Sequence, residues 1–177
     1  VAFISEAKQG GYALNVFANF FAEYEIIKGL KLRSSVGGNY NINGMELFVP
    51  TDIFASAGIG SASQTANRYY NLLNENVLTY DRILNEHNVI NATGGFTVQH
   101  WYNKSFNAGV SNLSTNALGV NNFGVGIAVP PGSFFLENLL MSYFGRLNYR
   151  LMDRFLFTAT MRADGSSRFG SSHKWGY

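Results

Sequence analysis

From Tyr12 to Ile26 the even positions read Tyr12, Leu14, Val16, Ala18, Phe20, Ala22, Tyr24 and Ile26, while the odd ones include Asn15, Asn19, Glu23 and Glu25. A period of two belongs to an extended strand with one apolar and one polar face; a helix would scatter the same residues around its circumference. The run is also far longer than the usual strand of about 5–6 residues. A second run follows "IKG": Leu30, Leu32, Val36 and Tyr40 take even positions, and Lys31, Arg33, Ser35, Asn39 and Asn41 odd ones. Gly29 then occupies the third place of a three-residue loop, where a type I turn with a G1 bulge requires positive φ. Closing that loop between Ile26 and Leu30 sets Glu25 opposite Lys31 and Glu23 opposite Arg33. Two cross-strand ion pairs are therefore expected, each worth roughly 0.2–1 kcal/mol. A slip of one residue would move every charge onto the apolar face.

The same pattern returns along the chain. Residues 67–84 are an untidy strand, with Leu72, Leu78 and Tyr80 sharing a face with Asn74 and Asn76. After "NEH", Ile90, Ala92, Gly94, Phe96 and Val98 alternate with Asn91, Thr93, Thr97 and Gln99. The last hairpin sets Leu139, Met141, Tyr143, Leu147, Tyr149 and Leu151 against Phe155, Phe157, Ala159 and Met161 across "MDR". Hairpins are expected at about 12–42, 67–102 and 138–166, separated by long loops at about 43–66 and 103–137, the second holding Pro130-Pro131. Short turns at one end and long loops at the other are the habit of outer-membrane barrels. A tilted strand needs about 9–11 residues to cross hydrocarbon, and most of these runs reach that. Tyr24, Tyr80 and Tyr149 fall near the short turns, and Tyr40, Tyr70, Tyr102 and Tyr143 near the long loops, as two aromatic girdles would. The expected fold is all-β, an antiparallel meander of about six long strands. Since about eight strands is the practical minimum for closure, the chain is expected to be a partial segment of a large transmembrane β-barrel.

Composition narrows the function. Aromatic residues make up 15% and charged residues only 14%, against about 25% charged in ordinary globular domains. The net charge of +2 comes from scattered basic residues, which sets nucleic acid aside as a partner. No apolar run reaches the ~18 residues of a spanning helix, and cysteine is absent, so thiolate metal sites are excluded.

Several segments resemble the SusC/RagA family of TonB-dependent outer-membrane transporters. They are "FAEYEIIKGLKLRSSVG", "LTYDRILNEHNVINATGGFTVQ" and "SYFGRLNYRLMDRFLFTATMRADGSSRFG" followed by "KWGY", in that order. The third carries the family's signature on Arg162, Asp164, Gly165, Ser166, Ser167, Arg168, Phe169 and Gly170. The resemblance implies a barrel of about 22 strands, with a lumen plug and a TonB-contacting segment that this stretch does not include. It further implies import of a large nutrient, an oligosaccharide or a peptide, beneath a SusD-type surface lipoprotein and driven through TonB. Outer-membrane lipid would surround the wall. No cofactor and no catalysis are expected. The alternatives are a siderophore-type receptor without the lipoprotein, and a soluble all-β carbohydrate-binding module whose apolar face is covered by a second sheet.

Other constellations have plainer accounts. Arg162, Asp164 and Arg168 could touch solute or plug, but pairing with each other at a strand end is the simpler expectation. Glu23 and Glu25 resemble a glycosidase pair only until their cationic neighbours are counted. His87, His100 and His173 fit no metal-ligand spacing. "GIGSAS" and "GVGIAV" lack the phosphate-cradling pattern. The Asn-x-Ser/Thr triplets at Asn91, Asn103 and Asn112 are expected by chance in so Asn-rich a chain. Phe48, Phe54 and Phe123 could stack on sugar rings, though packing of the loops on one another accounts for them as well.

Overall fold

The computed structural model describes residues 7–53, 56–170 and 174–177. They form one antiparallel meander: β1 (Lys8–Ile27), β2 (Leu30–Val49), β3 (Ser61–Asn85), β4 (Asn88–Ser111), β5 (Ile127–Leu151), β6 (Phe155–Ser166) and a short β7 (Trp175–Gly176). Each strand is hydrogen-bonded to its neighbours in sequence, in the order β1 to β7. Two 3₁₀ turns, Gly119–Asn121 and Phe123–Val125, lie between β4 and β5. Among the described residues β1 and β7 are not paired with one another, so the sheet is open.

The strands run well beyond the apolar alternation. Strand continues to Val49, resumes at Ser61, continues to Ser111 and resumes at Ile127, so much of what the sequence marks as loop at 43–66 and 103–137 is extended backbone. Periodicity misses these extensions because neither face there has to be uniformly apolar. β5 even takes in Pro130 and Pro131. The β6 pairing begins only at Leu140, which leaves one side of the proline stretch without a strand to supply, the circumstance in which proline is tolerated. Just beyond the pair, the Gly132 N–H donates to the Asn107 side chain at 2.9 Å.

Contacts divide the chain into two compact units. The first comprises the described residues of Val1–Val16, Tyr40–Tyr70 and Tyr102–Leu136. Its core joins Phe48, Ala62, Val110 and Leu113, with Val120, Phe123 and Val125 packed against them. Asn116 ties its two loops together: it accepts from the Thr51 N–H at 3.0 Å and donates to Asp52 at 3.1 Å. Tyr70 and Tyr102 stack at 4.7 Å, and Phe135 meets Tyr102 edge-on at 5.4 Å.

The second unit comprises Phe17–Asn39, Asn71–Trp101 and the described residues of Glu137–Tyr177. It holds the short turns. Gly29, at φ +84°, accepts the Asp81 N–H at 2.8 Å. The β5–β6 turn closes between Leu151 and Phe155. Two of its three residues are left-handed without being glycine, Met152 at φ 53° and Asp153 at φ 54°. Asp153 is held there by His87 Nδ1 at 2.9 Å and Arg150 Nε at 3.3 Å. Met152 has no such anchor and is 61% exposed. Left-handed backbone costs a residue with a Cβ roughly 1–2 kcal/mol. Met152→Gly in the full-length protein is therefore expected to stabilise by about 0.5–1 kcal/mol, after the added freedom of the unfolded glycine is subtracted. A higher urea midpoint with unchanged slope is the result that checks it.

Candidate functional site

Side-chain contacts and the β5–β6 register sort the second unit into two faces. One carries odd positions of β1–β4 and even positions of β5–β6, and it is lined by amides. Gln99 donates to Asn71 at 3.1 Å, Asn91 donates to Asp81, Asn148 donates to Asn91 at 3.1 Å, and the Thr158 hydroxyl donates to Asn148 at 3.0 Å. The same habit appears in the first unit, where Asn67 donates to Asn43 at 2.9 Å, Asn43 to Asn41 at 2.7 Å, and Asn41 to Asn15. An amide donates and accepts at once, so a ladder of them satisfies itself across strands and still presents polar groups.

The opposite face takes the even positions of β1–β4 and the odd ones of β5–β6, and it is apolar except for a small neutral polar group, in which Ser34 donates to Asn76 and Asn76 to Asn74 at 2.7 Å each, and for Asn88, which accepts from the Tyr149 hydroxyl at 3.0 Å. Within the second unit it carries no Asp, Glu, Lys or Arg at residues 18–26, 30–38, 72–80, 88–98, 139–151 or 155–163. These stretches are close to the ~9–11 residues a tilted strand needs to cross hydrocarbon. Past their outer ends His100 and Glu137 pair at 2.7 Å. The face is bare: Phe20 is 74% exposed, Tyr24 70% and Met161 76%. The buried apolar residues, Phe48, Ile53, Ala62, Val110 and Leu113, all belong to the first unit. Among the described residues the second unit therefore has no covered apolar core, and no second sheet lies over this face, unlike the sandwich that the soluble alternative requires.

The residues singled out from sequence take these places. Lys31 Nζ lies 3.9 Å from Glu23 Oε1, a diagonal contact in place of the expected pairing of Lys31 with Glu25. Glu25 instead accepts the Gly29 N–H at 2.8 Å, a turn donor the ladder leaves free. Arg33 also departs from expectation: its guanidinium lies 4.5 Å from the centroid of the Phe21 ring, not on Glu23. A cation over an exposed ring gains about 0.5–1 kcal/mol, comparable to an exposed ion pair. The signal for this contact in the sequence is that Phe21 and Arg33 share odd positions, and so one face.

The signature residues form a strand end and its return. Asp164 faces Ser142 across the ladder. Arg162 Nε lies 2.9 Å from both Asp164 oxygens, and its Nη2 reaches Ser142 Oγ at 3.4 Å, with Ser142 only 1% exposed. Gly165 lies under Trp175, three of whose ring atoms stand 3.0 Å from where a Cβ would project. The Ser166 N–H donates to the Lys174 carbonyl at 2.8 Å, and its hydroxyl oxygen accepts the Arg168 N–H at 3.2 Å. Ser167 exchanges two bonds with Leu139, N–H to carbonyl at 2.9 Å and hydroxyl oxygen to N–H at 2.8 Å. Phe169 is exposed, Gly170 meets nothing within 4 Å, and the Arg168 guanidinium has no ion pair among the described residues.

Phe48 is buried in the first unit's core and Phe123 packs against it. Phe54 and His173 lie outside the described residues. His87 pairs with Asp153, and among the described residues no group of three His, Asp or Glu could hold a metal ion.

No family model matches the chain. It is 36% identical over 162 residues to TonB-dependent receptor P3 of Formosa agariphila, covering 90% of this chain and 16% of that receptor. It is 29% identical over 171 residues to TonB-dependent receptor SusC of Bacteroides thetaiotaomicron, covering 97% and 16%. Among solved structures it superposes on one described as the RagAB peptide transporter with a TM-score of 0.89 at 21% identity, covering 98% of this chain and 20% of that one. The chain thus spans about a sixth of the length of the curated relatives it matches.

Proposed function

Because the chain belongs to the SusC/RagA type of TonB-dependent receptors, we propose that it builds part of the wall of an outer-membrane barrel importing a large nutrient, an oligosaccharide or a peptide. One observation carries this: in the second unit a charge-free, uncovered apolar face backs directly onto an amide-lined one. In water such a sheet would leave its aromatics unburied with no core to offset the ordering of the chain. Between hydrocarbon and an aqueous lumen both faces are matched.

The wall's part in transport is passive. Its backbone groups are paired along the ladder, as a lipid-facing structure requires, and its amides present neutral hydrogen-bonding groups to the lumen. Arg162 and Asp164 satisfy one another and Ser142, so their role is to hold the end of β6 rather than to read solute. The loops around residues 50–60 and 112–126 are the surfaces offered to a SusD-type lipoprotein and to incoming solute. Energy would come through TonB, acting on a part of the receptor outside this stretch. No bond in the solute is made or broken.

The test is expression of the tagged full-length receptor in its own host, with purification from outer membranes and uptake measured for labelled oligosaccharides and peptides. Detergent-dependent purification together with a surface lipoprotein, and uptake lost on removal of TonB, is the expected result. A receptor that purifies from the membrane with no lipoprotein would point to the siderophore-type alternative, and one soluble without detergent would overturn the wall assignment.

A further inference from the structure

On the bare apolar face, just outside the aromatic row Phe96–Tyr143–Trp175, lies an open cavity of about 210 Å³. Leu139, Met141 and Gly165 lie along it, Trp175 and Ser167 flank it, and Lys174 joins the lining. The register explains its place: Tyr143 is opposite Ala163, and Met141 opposite Gly165, so the cavity begins one pair of outward-facing residues beyond the tyrosine. The missing side chain at Gly165 matters, since a Cβ there would meet the Trp175 ring at 3.0 Å. Glycine is what lets the indole lie against β6 and form a wall.

The charges around the cavity are unequal. Lys174 has no carboxylate within 4 Å among the described residues, while Glu137 is taken by His100 and Asp164, on the other face, by Arg162. The Ser167 oxygen already accepts the Leu139 N–H, which leaves its own hydrogen free to donate. An apolar cleft at an aromatic row, with an unpaired ammonium and a free hydroxyl donor, has the chemistry of the boundary between acyl chains and headgroups.

We propose that this cleft holds an anionic, phosphate-bearing lipid of the surrounding bilayer, its chain along Leu139, Met141 and Trp175 and its phosphate at Lys174 and Ser167. The proposal rests on the assignment of this face to the membrane and adds a lipid-selective site to it.

The experiment uses the full-length receptor in nanodiscs of mixed phosphatidylglycerol and phosphatidylcholine, with lipid retained after mild detergent release counted by native mass spectrometry. The wild type is expected to retain phosphatidylglycerol in preference to phosphatidylcholine. Lys174→Gln should reduce that preference about fivefold, the size expected of one basic residue at an anionic surface, while Lys174→Arg keeps it and Met141→Trp, which fills the cleft, abolishes retention. Equal retention of both lipids by wild type and Lys174→Gln would overturn the site while leaving the wall intact. Displacement of the lipid by millimolar inorganic phosphate would show a site for free anion and overturn it as well. A receptor that fails to enter nanodiscs at all would sink the membrane assignment together with the site.

Discussion

Arginine in place of Leu147 is expected to destabilise the full-length receptor by about 2–4 kcal/mol, the cost of a basic side chain near the bilayer midplane on the lipid face of a barrel. Leu147 lies near the middle of the charge-free stretch 139–151, opposite Ala159, and is 42% exposed with no protein layer over it. The neighbouring Asn148→Arg provides the contrast. Asn148 lies on the amide face, bonded to Asn91 and Thr158 and adjoining Arg146, so arginine there would lose two or three hydrogen bonds but keep its charge in water. That loss is about 1–2 kcal/mol. Urea-dependent folding into lipid vesicles measures both. If the two arginines cost the same, or if Asn148→Arg costs more, the assignment of faces to lipid and lumen is wrong.

Gly29→Ala is the second large effect, and it separates two reasons for needing glycine. Gly29 has φ +84°, and an added Cβ would stand 2.2 Å from the Asp81 backbone oxygen. Backbone cannot swing aside as a side chain can, so the β2–β3 contact must open, and the 2.8 Å bond from the Asp81 N–H to the Gly29 carbonyl is strained with it. The left-handed dihedral costs roughly 1–2 kcal/mol and the lost bond about 1 more, for a total of about 2–3 kcal/mol. Gly58 has φ +81° but nothing within 4 Å, so Gly58→Ala should show only the dihedral cost. Gly170 has neither constraint and its alanine variant should be close to neutral. Unfolding midpoints for the three variants should fall in that order. A Gly29→Ala variant no worse than Gly58→Ala would mean that the close approach to Asp81 is absent in the folded receptor.

Much of this was legible from period alone. Alternation in Tyr12–Ile26 and in Leu139–Met161 identified strands and the residues that share a face, because a side chain in a pleated strand has only two directions to take. Gly29 announced its turn because few residues other than glycine accept that dihedral. The individual ion pairs were not legible. Lys31 can reach Glu23 along a diagonal as easily as Glu25 directly opposite, and the Gly29 N–H competes for the latter. The strand extensions were hidden for another reason: at 43–49, 61–66 and 103–111 the backbone ladder persists where the apolar alternation has lapsed, and hydrogen bonds between peptide groups leave no mark on side-chain pattern.

By itself the sequence determined that the chain is built of long two-faced strands joined at one end by short turns, since local backbone sterics and the two-residue period act on each segment separately. Only the tertiary structure decided what lies against each face. The loop core of Phe48, Ala62, Val110 and Leu113, the amide ladders from Asn15 to Asn67 and from Asp81 to Thr158, and the cleft beside Trp175 all join residues far apart in the chain. The bareness of the apolar face in the second unit is likewise a property of the assembled sheet. Alternation says which residues share a face, but whether protein covers that face depends on every other segment.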